Sequence, residues 1–67
     1  MGKLVAFTGL NGERVWVNPS VVARIYPEGE GATVYLSVPG LAPVLLREPA
    51  DVVAETLNRN LGWRRRF

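Results

Sequence analysis

Neither cysteine nor histidine occurs among the 67 residues. Without thiols no disulfide can support so short a chain, and without either residue type a zinc site of the usual kind has no ligands. The same absences remove the commonest general base and the best nucleophile. Ser20 and Ser37 are left with no base but distant carboxylates, drawn from Glu13, Glu28, Glu30, Glu48, Asp51 and Glu55. The composition therefore argues against an enzyme and calls for no cofactor and no metal. Long apolar runs are missing as well; none approaches the ~20 residues that a membrane span needs. The opening Met1-Gly2-Lys3-Leu4-Val5-Ala6-Phe7 is too short for the apolar region of a signal peptide and has no small-residue cleavage site. Ala6 stands where a myristoylation signal requires Ser or Thr. By default the chain reads as cytoplasmic.

Positive charge is scarce outside one place. The formal net charge is +2, but without Arg64, Arg65 and Arg66 five basic side chains face six acidic ones. The basic character thus belongs to a tail, residues 63–67, and not to the body of the domain. A body without net positive charge binds phosphate poorly unless its few arginines share one face. The 48% hydrophobic content is that of a globular domain and too high for disorder. A chain of this length buries only about 60% of its unfolded surface. With disulfides and metal excluded, self-association as a homodimer or higher homo-oligomer is the expected support.

Residues 1–62 read as a single domain of the α+β class, mainly β: about five strands, then one C-terminal helix. Strand one spans 3–8. Asn11-Gly12 tolerates positive φ at both central positions of a tight hairpin, and 13–17 forms strand two. Asn18-Pro19-Ser20 is a turn, 21–26 is strand three, and 27–31 is a polar, Gly-rich loop. That loop lacks the Lys-Ser/Thr of a phosphate cradle and opens no helix. Ala32, Val34, Leu36 and Val38 alternate with Thr33, Tyr35 and Ser37 in strand four; 43–48 is strand five. The helix spans 49–61, with Pro49 at its first position. Ala50, Val53, Ala54, Leu57 and Leu61 form its apolar stripe, opposite Asp51, Glu55, Asn58 and Arg59. One sheet face must receive that stripe, which implies a small curled antiparallel sheet or half-barrel closed by the helix. Exposed sheet edges favour a strand-exchanged or edge-paired dimer.

Strand parity sorts the candidate site. If Val15, Val17, Val21, Ala23, Ile25, Val44 and Leu46 point inward, the opposite faces carry Arg14, Trp16, Val22, Arg24, Tyr26, Thr33, Tyr35, Leu45 and Arg47. Aromatics interleaved with arginine suit stacking on single-stranded nucleic acid. They equally suit a protein partner, and they suit plain docking of the helix or of a second subunit. Trp16, Tyr26, Tyr35, Arg14 and Arg24 are the candidate partner-binding residues. Arg47, Arg64, Arg65 and Arg66 are the candidate nucleic-acid contacts. The tail itself reads either as an arm for phosphates or an acidic protein, anchored by Trp63 and Phe67, or as a solvated terminus.

Leu10-Asn11-Gly12, Val17-Asn18-Pro19, Thr33-Val34-Tyr35-Leu36, Arg47-Glu48 and Val52-Val53 together resemble the FlbD/SwrD family of small bacterial flagellar and swarming-motility proteins. Members similarly carry Leu-Asn-Gly, a hydrophobic-Asn-Pro step, a Thr-x-hydrophobic strand and a closing helix. The likeness covers about residues 4 to 57; the Arg-rich tail is not part of it. It implies a non-enzymatic accessory protein working through protein contacts. In architecture, five strands with Leu46-Arg47-Glu48 leading into a helix are similar to the CsrA translational regulators, strand-exchanged dimers that bind RNA. There Arg47 matches the strand-five arginine, whereas Phe7-Thr8-Gly9-Leu10 stands where that family has its strand-one arginine.

Overall fold

The computed structural model describes residues 3–61. Five strands run β1 (Val5–Thr8), β2 (Arg14–Val17), β3 (Val22–Glu28), β4 (Gly31–Leu36) and β5 (Val44–Leu46), followed by helix α1 (Ala50–Leu61). They form two antiparallel sheets, β1-β2 and β3-β4-β5. This is the mainly β, curled arrangement with a closing helix that the patterning implied; the sheets do not close into a barrel.

The two sheets are stitched at one corner. Gly9 bridges Leu46. The Arg47 amide donates to the Thr8 carbonyl at 2.8 Å. In return, the Thr8 amide donates to both carboxylate oxygens of Glu48, at 3.0 and 2.9 Å. A charged acceptor suits an amide at a strand end, because it satisfies a donor that no ladder reaches. Glu48 therefore does structural work just ahead of α1.

Phe7, Val17, Ala32, Val34, Leu46, Val53 and Leu57 form the core. It lies between the inner faces of both sheets and the apolar stripe of α1. Val53 and Leu57 are buried there, with Ala50 and Ala54 half-buried; the side chain of Leu61 lies outside the described part. The Asp51, Glu55, Asn58 and Arg59 side of the helix is exposed, and Arg59 pairs with Glu55 one turn away at 3.4 Å.

Several local expectations are corrected. Asn11 does not adopt positive φ; in the first hairpin only Gly12 does, at +83°. The Gly12 amide donates back to the Gly9 carbonyl, so Leu10 and Asn11 form the turn and Gly12 follows it. The loop expected at 27–31 is shorter. Strand β3 continues to Glu28, which pairs with Gly31 across a two-residue turn. Gly29 takes φ +59° at the first central position, as a type II′ hairpin demands.

Parity also fails in β3. A register irregularity between Val22 and Arg24 turns Val22 toward the core and leaves Ala23 exposed. The cause lies upstream: Pro19–Val21 is a short 3-10 helix, not a turn leading straight into strand. The Asn18 side chain caps it, accepting from the Ser20 amide at 3.0 Å and hydroxyl at 2.8 Å. Val38 lies beyond the end of β4 and is exposed. The helix starts at Ala50, leaving Pro49 just before its first residue; the Pro49 carbonyl accepts the first helical bond, from Val53.

Candidate interaction surface

The side of the β3-β4-β5 sheet facing away from α1 is built by register. Arg24 lies opposite Tyr35, Tyr26 opposite Thr33, and Glu28 opposite Gly31. Thr33 in turn lies opposite Leu45 on β5. Residues directly opposite one another share a face, so Arg24, Tyr26, Glu28, Thr33, Tyr35 and Leu45 stand together. The two tyrosine rings meet edge to face, with centroids 5.6 Å apart and planes at 87°. That is the favoured geometry for an aromatic pair.

Thr33 sits in the middle of this group and is buried, although its parity points it outward as expected. It is the central residue of the central strand, with Tyr26 and Leu45 beside it and Tyr35 two residues along. Its hydroxyl donates to Glu28 at a long 3.4 Å. The neighbours that bury it remain open: Tyr26 is 48% exposed, Leu45 44% and Tyr35 41%. Helix α1 packs on the opposite side. The reading in which the tyrosines merely receive the helix is thereby excluded.

Trp16 belongs to a different group. It lies on β2 opposite Ala6, in the two-stranded sheet, and is 59% exposed. Leu4, two residues before Ala6, is exposed beside this pair. Arg14 is exposed opposite Thr8. The structure therefore brings Arg24, Tyr26 and Tyr35 together and places Arg14 and Trp16 on the other sheet. Among the described residues, no ring contact joins Trp16 to the tyrosines.

Arg47 is exposed, but its guanidinium is already engaged. Its Nη2 donates to the Leu10 carbonyl at 3.1 Å, clamping the first hairpin's turn. Arg64, Arg65 and Arg66 lie outside the described residues. Sequence reasoning did not include Leu45 in the site, although its alternation with Val44 and Leu46 carried the signal. It missed the clefts along β3 altogether, since these depend on how far the helix sits from the strand.

No family model, curated protein or solved structure matches the chain. Among the described residues no group of acidic side chains is arranged to hold a metal ion, and no helix is long and apolar enough to cross a membrane.

Proposed function

We propose that this chain is a non-enzymatic accessory or regulatory protein of the FlbD/SwrD kind, acting in the cytoplasm by binding a protein partner. The observation that carries this reading is the edge-to-face Tyr26–Tyr35 pair, flanked by Leu45 and Arg24 on a sheet face that the helix leaves uncovered. Aromatic residues with an adjacent arginine are enriched where protein interfaces concentrate their binding energy. Leu45 widens the apolar centre, and Arg24 supplies a charged rim that suits a carboxylate on the partner. Self-association fits the same face better than strand exchange does. The free edge of β3 carries Pro27 and the irregularity at Val22–Arg24, both of which disfavour addition of another strand.

The test is a double variant, Tyr26→Ala with Tyr35→Ala. Both side chains lie on the open face, so circular dichroism should stay close to wild type and the unfolding midpoint should fall only by what the ring pair contributes, about 0.5–1.5 kcal/mol, while affinity for the purified partner falls at least tenfold, about 1.4 kcal/mol. Unfolding of the variant would mean that the pair is structural.

The second reading is a regulator that binds RNA or DNA, favoured by Arg24 lying opposite Tyr35 beside a stackable ring. It requires binding of a random single-stranded RNA pool that weakens with salt and with deletion of residues 64–67. Binding of that kind, lost in the same double variant, would replace the protein-partner reading.

A further inference from the structure

β2 pairs with β1 on one side, and its other side is unpaired among the described residues. The hydrogen-bonding parity of the first hairpin decides which backbone groups stand on that free edge. Gly9 donates to the Glu13 carbonyl, so Gly9 and Glu13 bond across the hairpin. Bonded and non-bonded pairs alternate along an antiparallel ladder. Phe7–Val15 and Val5–Val17 are therefore bonded pairs, while Thr8–Arg14 and Ala6–Trp16 turn their amides and carbonyls away from each other. Thr8 shows the pattern: its amide goes to Glu48 and its carbonyl accepts from Arg47, both away from β2. The amides and carbonyls of Arg14 and Trp16 consequently point off the free edge. None of the four has a partner among the described residues. The other free edge is protected: β3 has Pro27 and the irregularity at Val22–Arg24, whereas β2 has neither proline nor bulge.

We propose that the β2 edge binds a second copy of this chain, β2 against β2, antiparallel about a two-fold axis at Val15. Arg14 then lies opposite Trp16 of the partner subunit, and the symmetry repeats the pairing. Three features select this register. All four outward groups are satisfied, as two hydrogen-bonded pairs. Arg14 and Trp16 are exposed on the same side of β2, so each crossing sets a guanidinium beside an indole ring. Val15, half-buried at the edge, meets its own copy on the axis. The neighbouring registers fail. An axis at Arg14 puts like charges face to face and sets Trp16 against Gly12, which has left the strand with φ +83°. An axis at Trp16 sets Arg14 against Asn18, which is held as the cap of the 3-10 helix.

The same patch serves both copies, so the assembly closes as a dimer and does not grow. It makes one four-stranded antiparallel sheet in the order β1-β2-β2-β1. The Tyr26–Tyr35 face belongs to the other sheet and stays open, so self-association has a place apart from the partner site. Arg14 and Trp16, which the fold separates from the tyrosines, thereby gain a role of their own.

The chain has no cysteine, so one introduced thiol reads the register. On the axis, Val15 and its copy form a non-hydrogen-bonded pair with Cα atoms about 4.5 Å apart, a separation that a disulfide spans. In the full-length protein, glutathione disulfide should convert Val15→Cys to a covalent dimer at least tenfold faster than Ala6→Cys, which lies one strand further from the axis. Light scattering over a dilution series should give twice the chain mass for the wild type. Arg14→Glu should raise the dissociation constant at least tenfold with circular dichroism unchanged, and Tyr26→Ala with Tyr35→Ala should leave the dimer intact. A wild type that is monomeric at millimolar concentration would overturn the proposal, as would cross-linking of Val15→Cys no faster than of Ala6→Cys. So would a dimer indifferent to Arg14→Glu; its loss in the double tyrosine variant would then place self-association on the tyrosine face.

Discussion

Leu46→Ala is expected to leave most of the protein unfolded at room temperature. Leu46 is 0% exposed and lies where the two sheets meet, opposite Ala32 in β5–β4 and bridged to Gly9 of the first hairpin. Truncating a buried leucine costs about 2–5 kcal/mol, depending on how far the site collapses. Collapse is restricted here, because the backbone around Leu46 is pinned by the Gly9 bridge and by the Arg47 amide on Thr8. A domain of this size has only about 3–5 kcal/mol of net stability from its core. The neighbouring Leu45→Ala changes the same residue type on the open face and should shift stability by no more than about 0.5 kcal/mol. Urea unfolding followed by circular dichroism checks both. A Leu46→Ala midpoint close to wild type would mean that the sheet junction is not the centre of the core.

Gly31→Ala is the second strong effect, and its sign is the informative part. By propensity alone, alanine in a strand should be better tolerated than glycine. The structure reverses that expectation. A Cβ at Gly31 would run into the backbone carbonyl of Leu46, with Arg47 Cα at 3.4 Å behind it. Neither is the end of a flexible side chain, so the β4–β5 pairing itself must give way. Overpacking of this kind costs about 1–3 kcal/mol. A destabilised variant supports the close approach of β5 to the hairpin. A stabilised one would show that β5 sits further out.

The fold was legible in the sequence because its main signals are local. Alternation in β4 and β5, the turn chemistry of Gly12 and Gly29, and the helical spacing of Ala50, Val53, Ala54 and Leu57 each need only a few neighbouring residues. What parity alone could not give was the irregularity after Val22, since it follows from the 3-10 helix capped by Asn18. Nor could it show that the half-buried Glu48 holds the Thr8 amide, forty residues earlier in the chain. The candidate site was legible in the same measure. Tyr26, Tyr35 and Arg24 were placed on one face correctly, because β3 and β4 are joined by a short hairpin that fixes their register. Trp16 and Arg14 were grouped with them by parity, but parity assigns a face within a sheet and does not say which sheet a strand joins. Arg47 looked free for a ligand because its partner, the Leu10 carbonyl, is a backbone atom in a distant turn.

The central claim is that the Tyr26–Tyr35 face is where a protein partner sits. The most direct measurement places a photo-crosslinking phenylalanine analogue at position 35, and separately at position 52, in cells of the native host. Val52 is an exposed apolar residue on α1 and serves as the control surface. The account expects a discrete protein adduct from position 35, lost when Tyr26 is also replaced by Ala, and none from position 52. An adduct with nucleic acid from position 35, or the same adducts from both positions, would contradict it.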